Sequence, residues 1–288
     1  MTVVSLPTIA DRLADATTSL DKAGIAFARR EATRTYAAVA GLKPGDVWLA
    51  RERPVPPAVG ARFDRAVAAR LNGQPFAYAV GRAAFRALDL ASDPRALIPR
   101  PETEGLVDLV LGTGGAERGA AADLGTGTGC LALALATEGH FERVIAVERD
   151  PAAASLAREN IRAVAPRVPV DVREGDWLAP LAGDTFAAIV SNPPYLTPQE
   201  WDELDPLVKG HEPRAALVSG ADGLEATRAI FAGAARHLAP GGMLALEIDE
   251  RRPAAIRELA IAAGWQVTIH DDVFGRPRYA VALREETP

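Results

Sequence analysis

Apolar and polar positions recur with two different periods along this chain, and the change of period divides it. Residues 5–72 carry helical spacing: Leu13, Ala16, Leu20 and Ala23 share one helix face, and Gly24 marks a stop. A second helix is predicted from about Arg29 to Val39, stopping at Gly41, and a third from Arg62 to Leu71, ending at Asn72-Gly73. Between them, Arg53-Pro54-Val55-Pro56-Pro57 reads as a connection. Residues 73–102 change character, and Gly73, Tyr78, Gly81, Phe85 and several prolines predict a short hairpin linker. From about residue 103, short apolar runs alternate with helical patterns. Helices are predicted at 103–111, 130–137, 151–164, 223–238 and 253–263, and strands at 120–124, 143–148, 169–173, 185–190, 243–248, 265–270 and 278–283. Repeated β-α alternation argues for a mostly parallel sheet with helices on both faces. The final pair of strands has no helix between them, which predicts one antiparallel strand. The domains expected are therefore 1–72 (helical), 73–102 (hairpin linker) and 103–288 (α/β, seven strands).

Composition narrows the class. With 288 residues, 48% of them apolar, the chain can bury a substantial core. A single cysteine, Cys130, forbids an internal disulfide. The histidines His140, His211, His237 and His270 lie far apart without metal-ligand spacing, so no metal site is expected. No secretory signal is visible, and no apolar run reaches the roughly 20 residues of a membrane span. A soluble, cytoplasmic protein is expected. The net charge of −6 hides an asymmetry: residues 1–100 carry a net +6 and the remainder a net −12. The basic first third would suit an acidic protein or an RNA-associated partner, or it reflects arginine used as a general surface residue.

Two segments carry chemistry. Asp123-Leu124-Gly125-Thr126-Gly127-Thr128-Gly129 joins the first strand of the sheet to its helix. Its glycines let the backbone turn sharply and let a ligand approach. The spacing is G-x-G-x-G, not the G-x-G-x-x-G of dinucleotide binders. Glu148 ends the next strand, where a carboxylate can accept both hydroxyls of a ribose. Asp123 is placed to receive the charged amino-acid part of a ligand. Asp176 and Trp177 follow the third strand, where a polar side chain and a ring can flank an adenine, although core packing explains Trp177 equally well. Together with the antiparallel strand, these features point to S-adenosylmethionine rather than NAD. The second segment, Asn192-Pro193-Pro194-Tyr195, follows an apolar strand. Two prolines make its turn stiff and poor in donors. The Asn192 side-chain oxygen and the backbone carbonyls remain as acceptors, an arrangement that suits a planar NH2 group. A plain strand-ending turn uses the same residue types.

The combination resembles the glutamine N5-methyltransferases of peptide chain release factors (the HemK/PrmC family) over nearly the whole chain. The resemblance rests on Gly73-x-Pro75-x-x-Tyr78-x-x-Gly81, Ile98-Pro99-Arg100-Pro101-Glu102-Thr103-Glu104, the glycine segment, Ser191-Asn192-Pro193-Pro194-Tyr195 and Glu212-Pro213-Arg214. It implies a Rossmann-like class I methyltransferase domain joined by a hairpin to a helical substrate-recognition domain. The methyl acceptor it implies is the glutamine of the release factors' Gly-Gly-Gln motif. Gly125, Thr126, Gly127, Thr128, Gly129, Glu148, Trp177 and Asn192 would then contact S-adenosylmethionine, and Asn192, Pro193, Pro194 and Tyr195 would hold the glutamine. Arg100 and Glu102, in the second segment of the resemblance, are expected to bind substrate. Direct nucleic-acid or membrane binding is not expected. The chain departs from the family pattern at Glu148 (usually Asp), at Asp249 (usually Gly), in Glu250-Arg251-Arg252, where a glutamine is common, and at Ala84, where an acid is common. Two rival readings start from the same residues. A methyltransferase for amino groups of nucleic acid poses the same hydrogen-bonding problem, but the acidic charge of residues 101–288 argues against a duplex channel. A binding protein that kept the fold without the activity is opposed by the intact Gly127, Glu148 and Asn192.

Overall fold

The computed structural model describes residues 6–112 and 119–284. The chain folds as two compact units, Met1–Arg82 and Ala83–Pro288. The first is helical. Its α1 (Ile9–Lys22) opens with a capping box: the Thr8 hydroxyl accepts the Asp11 N–H, and the Asp11 carboxylate accepts the Thr8 N–H. Ile9, Ala16 and Leu20 form its buried face, whereas Ala23 is exposed because the helix ends there. α2 (Ala28–Ala40) ends at Gly41 as the pattern predicts. The pattern misses α3 (Pro44–Leu49), a single short turn. α4 (Pro57–Leu71) starts five residues before the predicted Arg62, since proline fits the first helical turn. α5 (Phe76–Val80) occupies the beginning of the predicted hairpin linker, because nothing between Pro75 and Gly81 breaks a helix. The core of this unit centres on Leu20, Tyr36 and Phe63, with the two rings edge-on at 5.4 Å.

The hairpin itself is β1 (Arg82–Phe85) and β2 (Leu88–Ala91). After it come α6 (Pro101–Gly112), β3 (Ala120–Leu124), α7 (Cys130–Glu138), β4 (Arg143–Glu148), α8 (Pro151–Val164), β5 (Val170–Glu174) and β6 (Phe186–Ser191). Two short helices, α9 (Pro198–Glu203) and α10 (Pro206–Lys209), lie in a stretch for which the sequence pattern predicts no element. The chain ends with α11 (Glu225–Ala234), β7 (Leu238–Glu247), α12 (Pro253–Ala262), β8 (Trp265–Asp271) and β9 (Pro277–Arg284). β7 begins earlier than predicted. Pro240-Gly241-Gly242 lies inside the strand, where the register against β6 shifts, rather than in a turn before it.

These strands form a seven-stranded sheet in the order β5-β4-β3-β6-β7-β9-β8, parallel except for β9. The period of two assigns the faces. Ala121, Val144, Ala146, Ala188, Val190, Met243 and Ala245 pack with α6 and α7. The intervening Ala122, Leu124, Ile145, Val147, Ile189, Leu244 and Leu246 pack with α11 and α12. Strands buried on both faces read as continuous apolar runs, which is why the sequence locates them well.

Candidate active site

Strand order reverses between β3 and β6, and a crevice at the C-terminal ends of the strands is the usual ligand site of such a sheet. A cavity of about 470 Å³ lies there, lined in part by Gly125, Gly127, Glu148, Asp176, Trp177 and Asn192. Pro194 and Arg149 also line it. The sequence-predicted residues Asp123, Thr126, Thr128, Gly129, Pro193, Tyr195, Arg100 and Glu102 lie outside its lining.

The glycine turn explains part of this division. Gly125 and Gly127 adopt φ of +70° and +55° and face the cavity. A Cβ on Gly125 would stand 3.4 Å from the Trp177 ring, so a side chain there would fill the space between turn and ring. Thr126 and Thr128 are buried, and Gly129 precedes α7. Asp123 is fully buried beneath the turn rather than open to the cavity. Its Oδ2 accepts the Thr126 hydroxyl at 2.5 Å and the Ala132 N–H at 3.1 Å, while Oδ1 has no partner among the described residues. Burial pushes its carboxyl up to about 7, against the pull of those two bonds.

Glu148 reaches the cavity from the end of β4. Its Oε2 accepts the Gly127 N–H at 2.9 Å and its Oε1 the Asp150 N–H at 3.0 Å. A carboxylate has about four acceptor positions, so capacity for a diol remains. Asp176 is largely exposed, 3.7 Å from the Arg149 guanidinium. Trp177 both lines the cavity and packs on the core cluster of the second face, so the two sequence readings of this residue coexist. Its φ is +46°, a left-handed conformation that costs a bulky residue about 1–3 kcal/mol and that concentrates at ligand sites.

The Asn192 turn is anchored on both sides. Before it, the Ser191 hydroxyl donates to the Leu124 carbonyl at 2.6 Å. After it, the Tyr195 and Leu196 N–H groups donate to the Leu217 carbonyl at 3.1 and 2.8 Å. The Asn192 Oδ1 and the Pro193 carbonyl accept no hydrogen bond among the described residues. The Asn192 amide instead donates through Nδ2 to the Thr103 hydroxyl at 2.9 Å, and Thr103 donates to Glu247 Oε2 at 2.6 Å. Thr103 enters the sequence reading only inside the 98–104 segment of the resemblance, without a role, and Glu247 is not named in it. Alternation brings them together: Asn192 continues the face of Ala188 and Val190, Glu247 that of Met243 and Ala245, and α6 covers that face.

Around Glu247 gather Arg100, Glu102, Tyr195 and Arg278. Arg100 is held by Glu212, to which its Nη2 donates at 2.7 and 2.9 Å. The Glu102 carbonyl accepts the Tyr279 hydroxyl at 2.5 Å. Burial raises the Tyr195 phenol above its ordinary range, and Glu247 adds to the effect. The departure at Asp249 also has a physical account. Asp249 accepts the Arg251 N–H and Nε–H at 3.0 and 2.9 Å and pairs with Arg252. Arg252 in turn reaches the Tyr195 carbonyl at 3.4 Å and Glu200 at 2.5 Å. The acid and the two arginines form one ion-pair cluster behind Tyr195.

Glu247 is buried to 2% exposure, and burial pushes its carboxyl up from 4.5 to about 7, with Thr103 and Arg278 pulling it down. The folded state therefore holds this proton more tightly than the unfolded state. The stabilising contribution is fully present below the ordinary value and is lost as pH rises toward about 7. Asp123 behaves alike. Glu247→Gln removes one of these two groups, so its unfolding free energy should fall less than that of the parent between about pH 5 and about pH 8. Equal falls in urea titrations would contradict the burial of a titrating carboxyl.

Among the described residues, no helix is long and apolar enough to cross a membrane, and no cluster of His, Cys, Asp or Glu could hold a metal ion. The sheet order with one antiparallel strand, the glycine turn and the strand-end acid define a class I S-adenosylmethionine-dependent methyltransferase. Residues 105–205 match the methyltransferase small domain and residues 11–81 the PrmC N-terminal domain. The chain is 40% identical over 275 residues to a release factor glutamine methyltransferase of Cereibacter sphaeroides, covering 95% of this chain and 97% of that one. It is 37% identical over 282 residues to that of Moorella thermoacetica, covering 97% and 99%. It belongs to the release factor glutamine methyltransferase family. Among solved structures, a methyltransferase from Pyrococcus furiosus shares the fold, with a TM-score of 0.52 at 23% identity over 77% of this chain and 95% of that one.

Proposed function

We propose that this protein methylates the side-chain amide nitrogen of the glutamine in the Gly-Gly-Gln motif of peptide chain release factors, using S-adenosylmethionine. Family membership supports the reaction. The observation that carries the site assignment is a pair of neighbouring acceptors, the Oδ1 of the cavity-lining Asn192 and the Pro193 carbonyl, neither of which accepts a hydrogen bond among the described residues.

The residues present fit the cofactor. The glycine turn leaves room beside Trp177, Glu148 keeps acceptor capacity, and the cavity volume suits a ligand of that size. On this reading Gly125 and Gly127 admit the cofactor closely, Glu148 accepts its ribose hydroxyls, and Asp176 and Trp177 flank its adenine. Thr126, Thr128, Gly129 and Asp123 shape the turn from beneath. When bound, S-adenosylmethionine supplies an electrophilic methyl group on a sulfonium, so that transfer forms the N–C bond as the S–C bond breaks and leaves a neutral thioether.

An amide nitrogen is a poor nucleophile because its lone pair is delocalised into the carbonyl. Asn192 Oδ1 and the Pro193 carbonyl accept the two N–H bonds of the glutamine amide and fix the direction of its nitrogen. Both bonds strengthen as positive charge develops on that nitrogen, which favours the transition state over the bound substrate. The cationic methylated amide then loses a proton to solvent. Tyr195 and Pro194 pack against the amide plane, while Arg100 and Glu102 shape the wall through Glu212 and Tyr279. The helical unit serves substrate recognition, and the protein works in the cytoplasm. Incubation with methyl-labelled cofactor tests the reading. Label is expected in purified release factor and not in duplex DNA or ribosomal RNA, and the opposite partition would overturn it.

A further inference from the structure

We propose that Thr103 and Glu247 are positioning residues that set the amide orientation of Asn192, turning its oxygen toward the acceptor role and its NH2 away from it. The inference rests on the proposed role of Asn192 and adds the groups that make that role possible.

An asparagine amide has nearly the same shape in both flipped states, and only its hydrogen-bond partners choose between them. A threonine hydroxyl alone does not choose, because it both donates and accepts. Glu247 removes this ambiguity in its ionised form, because a carboxylate only accepts hydrogen bonds. The Thr103 hydroxyl donates its one proton to Glu247 Oε2 at 2.6 Å, so only its lone pairs face Asn192. Lone pairs select the NH2 end, and Nδ2 lies 2.9 Å from Thr103 Oγ1. In the flipped state two acceptors would confront each other in a buried setting, since Thr103 is 2% exposed. The relay spans α6, β6 and β7, each member stands at or near an element end, and Asn192 lines the cavity.

The chemistry of the pair argues for function over packing. Glu247 ends an apolar strand and is 2% exposed, and burying a carboxylate is costly unless it is fully compensated. A valine facing a leucine would join α6 to β7 without that cost. What the acid adds is a fixed direction for one hydroxyl proton, and hence for Asn192.

Two readouts test the proposal. The first uses no substrate: the Asn192 side-chain NH2 resonances, identified by their loss in Asn192→Ala, are followed by nitrogen-15 NMR in the folded full chain. In the parent they should be slow to exchange with solvent. Thr103→Val, which keeps the shape and removes the acceptor, should speed exchange by about 10-fold or more, and Thr103→Ser should restore the parent rate. The second readout is methyl transfer to release factor. Thr103→Val should lower kcat by about 10- to 100-fold with little change in the KM for the cofactor, Thr103→Ser should recover most of it, and Thr103→Val should add nothing in an Asn192→Ala background. Should the valine variant not fold, Thr103→Ala carries the same comparison. Parent-like exchange in the valine or alanine variant, or an equal loss of kcat in the Asn192→Ala background, overturns the positioning role. Failure of the release-factor reading looks different: the parent would transfer no methyl group while its Asn192 resonances remained protected.

Discussion

Asn192→Ala lowers turnover by about 100-fold or more and leaves cofactor binding near that of the parent. The reason lies in what each atom of Asn192 touches. Its Nδ2 is engaged by Thr103, while its Oδ1 faces no partner among the described residues. An acceptor without a partner at the cavity edge contributes most when a substrate N–H becomes acidic, which happens as methyl transfer proceeds. Truncation removes a transition-state interaction and therefore shows in kcat more than in KM. Asn192→Asp is the sharper variant. It retains an acceptor but replaces the NH2 that Thr103 receives with a second oxygen, next to an already buried acid. A large loss there means that orientation and neutrality both matter. Near-parental turnover in either variant, measured as initial rates with saturating cofactor, contradicts the assignment.

The second large effect is on cofactor affinity. Glu148→Ala raises the cofactor dissociation constant by about 10- to 100-fold, the scale of losing charge-assisted hydrogen bonds to a diol. Part of this loss comes from the protein itself, because Glu148 also holds the Gly127 N–H and so fixes the glycine turn. Glu148→Asp retains the charge and should recover most of the affinity. Calorimetric titration with the cofactor product separates the cases. Unchanged affinity in Glu148→Ala removes Glu148 from the ribose assignment.

Glu148 and Glu247 show how far the sequence speaks. Both are acids ending an apolar strand, yet only Glu148 follows a glycine-rich turn that directs attention to it. The same question asked of Leu244-Ala245-Leu246-Glu247 would have found the second acid. Its partner Thr103 lies on a helix 144 residues away, and no local pattern joins them. Asp123 illustrates a different limit. Its place before the glycines suggests a ligand contact, but strand alternation turns it beneath the turn, where Thr126 and Ala132 take one oxygen. Arg100 is expected to bind substrate, and its ion pair with Glu212, which is buried and 112 residues away, has no local sequence signal.

The fold was legible for a related reason. The central parallel strands β3, β4, β6 and β7 are buried on both faces over most of their length, so each carries an apolar run whose place in the chain is plain, and the lack of a helix between the last two strands announces the antiparallel β9. The short helices α3, α9 and α10 span too few residues to establish a period. Pro240-Gly241-Gly242 has turn composition, and only pairing with β6 reveals that it lies within a strand.

On the proposed reading, Asn192 and Pro193 hold one protein nitrogen, the Gly-Gly-Gln glutamine amide. Peptide-mapped mass spectrometry of a release factor incubated with this protein and S-adenosylmethionine tests it directly. A gain of one methylene on that glutamine is expected, absent when Asn192→Ala replaces the parent. Modification at another residue, or an unmodified release factor in the presence of active enzyme, would contradict it.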